Sequence, residues 1–276
     1  MVKNSAKQTK SKVKKTTHYE NYSEAELNIL REGGRRLASI LELLSKECNP
    51  GVRAKDLDLL AEKLVREGGD IPVFKNYQPS GARYPFPASL CVSINHVVAH
   101  GIPGEEILQE GDVVSLDLGL RHEGLVVDSA ITVLVGDQEK SAKFFREQKL
   151  LDVTKQALFI GIDACRVGAR VNEVGAKIER YVKQEGFNVV DILCGHAVGR
   201  EVHSEPLIPH ADFGSGGELI KEGMVLAIEP HISMGSGEIS LSKEDHWSYI
   251  ADDNAKSAQF EHTIHITKSG PEILTG

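Results

Sequence analysis

Apolar residues recur at helical spacing behind Ser23. Leu27, Leu30, Leu37, Ile40, Leu41 and Leu44 form one face of a helix that runs to about residue 46. Ser23-Glu24-Ala25-Glu26 has the form of a capping box at its start, with Ser23 able to bond the amide three residues on and Glu26 to reach back. Asn49-Pro50-Gly51 interrupts the pattern, and a second helix is predicted over residues 54–67, stopping at Gly68-Gly69. Five breakers (Pro72, Pro79, Gly81, Pro85, Pro87) make residues 70–90 loop-like. A strand follows at 91–95. Longer helical stretches are predicted at 139–165 and 172–185, and strand-like runs at 189–193, 224–228, 232–234 and 259–267.

Residues 111–129 read as a hairpin of two apolar strands, each carrying one aspartate, Asp117 and Asp128. With His122-Glu123 as the two-residue loop, Arg121 pairs with Gly124 and Asp117 faces Asp128. Cross-strand Cβ atoms on one face lie about 4.5–5.5 Å apart. Two carboxylates held so in an apolar sheet repel unless a positive charge lies between them. On this stretch alone, strand-end aspartates turned to solvent are an equal reading.

The chain also resembles itself. Cys48-x-x-Gly51-x-Arg53-x-x-Asp56-Leu57 is echoed by Cys165-x-x-Gly168-x-Arg170-x-x-Glu173-Val174, each opening a helix. The run from Glu106 to Asp117 is echoed by the run from Glu218 to Glu229, and the run starting at Asp128 by that starting at Glu261. Asp117 therefore corresponds to Glu229 and Asp128 to Glu261; His100 and His203 correspond too, each three residues before a proline. Two such halves, folded face to face, bring four carboxylates to one crevice, where only cations reconcile them. Carboxylates with an imidazole suit a pair of divalent ions about 3.5–4 Å apart. His196, between Gly195 and Gly199, is the available imidazole, with glycines that let the backbone approach a ligand. Without the acids it would read as a core histidine bonded to a carbonyl.

Composition narrows the picture. The chain has 276 residues, 41% of them hydrophobic, and no apolar run long enough to span a membrane. The lysine-rich start lacks the apolar segment of a signal peptide. Cys48, Cys91, Cys165 and Cys194 are scattered without a CxxC pair, so reduced thiols are expected rather than a disulfide framework. Residues 1–19 hold six lysines and no acid, so within a net charge of −8 the remainder carries −14. An acidic body argues against DNA as a partner, while the tail alone could touch RNA.

These residues resemble the type I methionine aminopeptidases. The likeness covers residues 23–276 and rests on Cys91-Val-Ser-Ile-Asn95 with His100-Gly-Ile-Pro103, on the aspartate hairpin, and on Cys194-Gly-His196-x-x-Gly-Arg200-x-x-His203. Ala227-Ile-Glu229-Pro230 and Ser257-Ala-Gln-Phe-Glu261-His-Thr complete it. The resemblance implies an α+β pita-bread fold. Its two pseudo-two-fold related halves, about 23–136 and 139–276, would form one domain with a curved antiparallel sheet covered by helices, behind a disordered tail over 1–22. It implies two divalent metal ions bound by Asp117, Asp128, His196, Glu229 and Glu261, with Asp128 and Glu261 bridging. One imidazole among carboxylates favours Mn²⁺, Fe²⁺ or Co²⁺, with Zn²⁺ also admissible. His100 would lie near the scissile amide nitrogen, His203 would bond the substrate carbonyl oxygen, and Glu229 would accept a proton. Phe86, Cys91 and Trp247 would line an apolar, sulfur-tolerant pocket.

The implied activity is removal of the initiator methionine from nascent proteins with a small second residue. The implied setting is a cytoplasmic monomer, with the lysine tail a candidate contact to the ribosome. Three departures stand out: Val202 where the family carries an aromatic, His231 where an apolar residue is usual, and a long loop over 77–85 that leaves Tyr77 and Tyr84 unassigned. Short length, without a large insert between His203 and Glu229 or N-terminal zinc modules, matches the short bacterial-like form. Two rivals share the fold. One is an Xaa-Pro aminopeptidase or prolidase, expected to carry an extra N-terminal domain where this chain has some 22 residues; the other is a non-catalytic binding module, expected to have broken ligands.

Overall fold

A computed structural model describes residues 21–136 and 143–276. The lysine tail and the first residues of the predicted helix at 139–165 lie outside the described residues. The elements run α1 (Glu24–Glu47), α2 (Ala54–Glu67), β1 (Ile71–Pro72), β2 (Cys91–Ile94), β3 (Val97–Ala99), β4 (Val113–His122) and β5 (Leu125–Leu134). They continue with α3 (Phe145–Ala164), α4 (Val171–Gln184), β6 (Asn188–Val189), β7 (Cys194–Ala197), β8 (Ser204–Pro209), β9 (Val225–Ile228) and β10 (His231–Ser233). The last are β11 (Ile239–Leu241), β12 (Tyr249–Ala251), β13 (Ser257–Gln259), β14 (Glu261–Thr267) and β15 (Gly270–Ile273). Among the described residues no helix is long and apolar enough to cross a membrane.

Both early helices form where the pattern puts them. Ser23 caps α1 in a complete box: its hydroxyl accepts from the Glu26 amide at 3.3 Å, and the Glu26 carboxylate accepts from the Ser23 amide at 2.8 Å. The buried face of α1, from Leu27 to Leu44, packs across β4 and β5. Gly34 is needed on that helix because a Cβ there would overlap the carbonyl of Leu274 as the C-terminal segment crosses.

One large sheet runs in the order β1-β4-β5-β14-β9-β7-β8, with β2 also on β4 and β15 also on β14. The pairs within it are antiparallel. Its hairpin differs from the expected one. Glu123 and Gly124, with φ of 44° and 92°, form the turn, and His122 pairs with Leu125. A tight turn of this hand needs both central residues at positive φ, which places glycine second and leaves His122 in the strand. Asp117 therefore pairs with Ala130, and Asp128 with Gly119. The slip is two residues. Because the side-chain period is also two, both aspartates stay on one face as diagonal neighbours.

The second half differs more from its pattern. The run at 259–267 breaks at Phe260 into β13 and β14, which join different sheets. Only Asn188 and Val189 of the run near 189–193 are laddered, and β7 and β8 form where no strand was expected. The internal echo has a backbone counterpart. Gly51 N bonds Leu108 O at 2.8 Å and Gly168 N bonds Ile220 O at 2.9 Å. Leu108 N to Val52 O and Ile220 N to Ala169 O, both 2.8 Å, form a second matched pair. Two apolar clusters follow the same division: one gathers α1, α2, β4 and β5, the other α3, α4, β9 and β14.

Candidate active site

Five neighbouring strands, β4, β5, β14, β9 and β7, run side by side in that order. Each supplies one side chain to a common cavity: Asp117, Asp128, Glu261, Glu229 directly after β9, and His196. Ligand atoms of Asp128, His196 and Glu261 lie within 4.8 Å of one another. Glu229 joins them through Oε1, 3.4 Å from His196 Nε2. Asp117 faces the same cavity and acts electrostatically on Asp128, Glu229 and Glu261.

Cations fit this arrangement. Asp117 Oδ1, Asp128 Oδ1 and Glu261 Oε1 are buried without a hydrogen-bond partner among the described residues, and each such atom costs stability unless something satisfies it. Burial, and then the neighbouring carboxylates, push the carboxyls of Asp128, Glu229 and Glu261 well up. Burial also raises Asp117, the Gln259 amide offsetting part of that. His196 is prepared as a ligand. Its Nδ1 lies 3.1 Å from the Ala197 carbonyl, which can only accept, so the proton sits on Nδ1 and Nε2 keeps its lone pair. Burial holds the ring's pKa down to about 3. A lone pair facing a carboxylate is a contact that only a proton or a cation makes favourable.

Supporting contacts fix the two central acids. Thr263 Oγ1 accepts from the Asp128 amide at 2.9 Å and donates to the Asp128 carbonyl at 2.7 Å. Ser129 Oγ donates to the Glu261 carbonyl at 2.7 Å. The glycines around His196 serve protein packing rather than approach to a ligand. A Cβ on Gly195 would overlap the Ala227 carbonyl of β9, and one on Gly199 would strike the Tyr22 hydroxyl.

The remaining expected residues line the same cavity, whose volume is about 360 Å³. Phe86 and Trp247 meet edge-to-face at 5.2 Å between centroids, and Cys91, which pairs with Asp117, sits beside them. His100, in the left-handed region at φ 54°, has its ring 6.3 Å from Trp247. His203 lies 4.3 Å from His196, ring to ring. Burial, and for His100 also the nearby His203, lowers both pKa values to about 4, so both imidazoles are neutral near pH 7.

Several lining residues escaped the sequence reading: Phe74, Tyr77, Ile192, Leu193, Cys194, Leu207 and His231. Tyr77 had a visible signal, an aromatic ahead of the pocket motif, but the loop length hid it. Asn76 N bonds Phe86 O at 2.9 Å and Phe86 N bonds Tyr77 O at 2.8 Å. The loop is thus closed at its base, and Tyr77 stays in the wall, joined there by Pro79. Tyr84 is not in the wall, but its carbonyl accepts from Trp247 Nε1 at 3.1 Å. Val202 is packed in the core beside the cavity, and His231 lines the cavity while buried.

A curled sheet presenting acids and an imidazole from five adjacent strands is a metallopeptidase architecture, and comparison with known proteins agrees. The chain belongs to metallopeptidase family M24, whose family model matches residues 28–268, and within that family to the methionine aminopeptidases. Methionine aminopeptidase 1 of Bacillus subtilis is 41% identical over 250 residues, covering 91% of this chain and 96% of that protein. The crystal structure of methionine aminopeptidase from Rickettsia prowazekii superposes with a TM-score of 0.87 at 34% identity, over 93% of this chain and 99% of that one. A prolidase from Pyrococcus furiosus shares the fold, with a TM-score of 0.70, at 21% identity, and this chain covers 65% of its length.

Proposed function

We propose that this methionine aminopeptidase removes N-terminal methionine from peptides and nascent proteins by hydrolysis assisted by two divalent ions, with preference for a small second residue. The observation that carries the reading is the set of orphaned buried carboxylate oxygens, Asp117 Oδ1, Asp128 Oδ1 and Glu261 Oε1, at one end of an apolar cavity. Asp117, Asp128, His196, Glu229 and Glu261 would hold the two ions; a neutral imidazole among carboxylates suits Mn²⁺, Fe²⁺ or Co²⁺. Ions so held supply polarisation of the scissile carbonyl and acidification of water.

The chain's own groups do the rest. The cavity walls of Phe86, Cys91 and Trp247 take the methionine side chain, whose polarizable sulfur gains about 0.3–1.5 kcal/mol from each aromatic contact. Neutral His203 donates an N–H to the substrate carbonyl oxygen as negative charge develops there. Glu229 takes a proton from the attacking water. His100 faces the amide nitrogen, which receives the proton held by Glu229 and leaves as the amine when the C–N bond breaks. The cytoplasm, where nascent N-termini arise, is the setting this activity requires.

Turnover of Met-Ala-Ser against Ala-Pro peptides, with and without Mn²⁺, tests the assignment. Preference for the Met peptide and loss of activity with chelator are expected. Preference for the proline peptide would transfer the chain to the prolidase branch, and activity that survives complete metal removal would end the proposed chemistry.

A further inference from the structure

The Tyr77 hydroxyl lies 2.9 Å from Nδ1 of His203, with the two rings 5.2 Å apart between centroids and tilted by 43°. We propose that Tyr77 is a positioning residue for the reaction. Its O–H donates to Nδ1, so the neutral imidazole of His203 carries its proton on Nε2 and offers that N–H to the substrate carbonyl oxygen. This rests on the role given to His203 above and adds what sets its tautomer.

The direction of the bond follows from the two partners. A phenol is a good donor and a weak acceptor, while an unprotonated imidazole nitrogen is a strong acceptor, so O–H to N is the favoured sense. The alternative would put the proton on Nδ1 and turn the Nε2 lone pair toward an oxygen that becomes negative during hydrolysis. That arrangement would oppose the reaction.

The neighbouring imidazole has the opposite arrangement for the opposite task. His196, ring to ring 4.3 Å away, gives its Nδ1 proton to the Ala197 carbonyl at 3.1 Å and keeps an Nε2 lone pair for a cation. A carbonyl partner at one ring and a hydroxyl partner at the other yield two adjacent histidines of unlike tautomer. Tyr77 is held for this by backbone bonds and by packing against the apolar core. Its amide donates to Phe74 O at 2.9 Å and its carbonyl accepts from Phe86 N at 2.8 Å, with Asn76 at φ 67° turning the chain between them. The length of the loop beyond is therefore immaterial to where the hydroxyl lies.

Side-chain ¹⁵N NMR of histidine-labelled protein, metal-free and Zn²⁺-loaded, reads the tautomer directly; His203 is assigned by the signal lost in His203→Asn. A protonated Nε2 and an unprotonated Nδ1 are expected, and the reverse pattern overturns the proposal without any turnover being measured. Tyr77→Phe keeps the ring and is expected to melt as wild type. It should lower kcat on Met-Ala-Ser by about 10–100-fold, the usual cost of losing an orienting partner, with KM changed less than about twofold. An unchanged kcat, or a loss confined to KM, would reduce Tyr77 to a wall residue. Wild-type turnover in the same assay separates this from failure of the peptidase assignment itself.

Discussion

Thr263→Val should damage the site without touching any side chain that meets substrate. Thr263 is fully buried, and its Oγ1 provides both an acceptor for the Asp128 amide and a donor for the Asp128 carbonyl, at 2.9 and 2.7 Å. The β5–β14 ladder pairs Glu261 with Ala130 and His262 with Ser129; at Asp128 the threonine hydroxyl takes over both bonding roles. Valine keeps shape and volume but leaves a buried N–H and C=O unsatisfied, each costing about 1–3 kcal/mol. A loss of about 2–6 kcal/mol follows, which in a chain of this size lowers the melting temperature by roughly 2–4 °C per kcal/mol. Since Asp128 is the central acid of the cluster, metal affinity should also fall by about 10–100-fold. Thermal melts of metal-free protein and calorimetric titration with Mn²⁺ measure the two effects. Thr263→Ser, which keeps the hydroxyl, should recover metal affinity and most of the stability. If valine costs under about 0.5 kcal/mol, or serine is as damaging as valine, the hydroxyl is not what holds Asp128.

Gly195→Ala forces a Cβ onto the Ala227 carbonyl, so β7 and β9 must separate beside His196; a stability loss of about 1–3 kcal/mol and weaker Mn²⁺ binding by calorimetry are expected, and unchanged binding would show that the strand spacing does not control the imidazole. Stability of the metal-free protein should pass through a maximum near neutral pH. His100, His196, His203, His210 and His231, with folded pKa values of about 3–4, bind protons less tightly than in the unfolded chain, so stability rises with pH up to their unfolded values. Asp117, raised to about 7, and Asp128, Glu229 and Glu261, pushed well above the ordinary carboxylate range by burial and by each other, bind protons more tightly in the fold, so the stability they contribute is lost as pH rises through their folded values. The melting temperature without metal should therefore fall as pH rises through about 7, where the Asp117 carboxyl titrates, and Mn²⁺ should abolish the fall; a metal-free profile that shows no fall there would contradict the burial of the cluster.

Much of this molecule is readable one segment at a time. The capping box at Ser23, the leucine face of α1 and the ends of α2 follow from local periodicity and capping, and they hold in the fold because tertiary packing buries the same face that the pattern defines. The four acids were recognisable through the internal echo, since a repeated apolar pattern with an acid at the same step implies equivalent strand positions. Even the hairpin error was harmless to the site. A slip of two residues changes partners but not faces, so Asp117 and Asp128 remain together.

What the sequence could not contain is the set of approaches that depend on distant segments. The turn fell at Glu123-Gly124 because both central residues must adopt positive φ, a requirement of strand twist rather than of pattern. β7 and β8 are short and carry little periodic signal; β7 becomes a strand because β9 offers it backbone partners, and β8 because β7 does, and the β7–β9 pairing, with Gly195 against Ala227, is what carries His196 to the acids. Tyr77 belongs to the site for a similar reason. Hydrogen bonds from the Asn76 amide to the Phe86 carbonyl and from the Phe86 amide to the Tyr77 carbonyl close a loop whose sequence suggested only length. Local alternation and composition determined which side chains could do the chemistry and which face they share, because those depend on neighbours in the chain. Register, strand pairing and loop closure decided their distances, because those depend on hydrogen bonds between residues far apart in sequence.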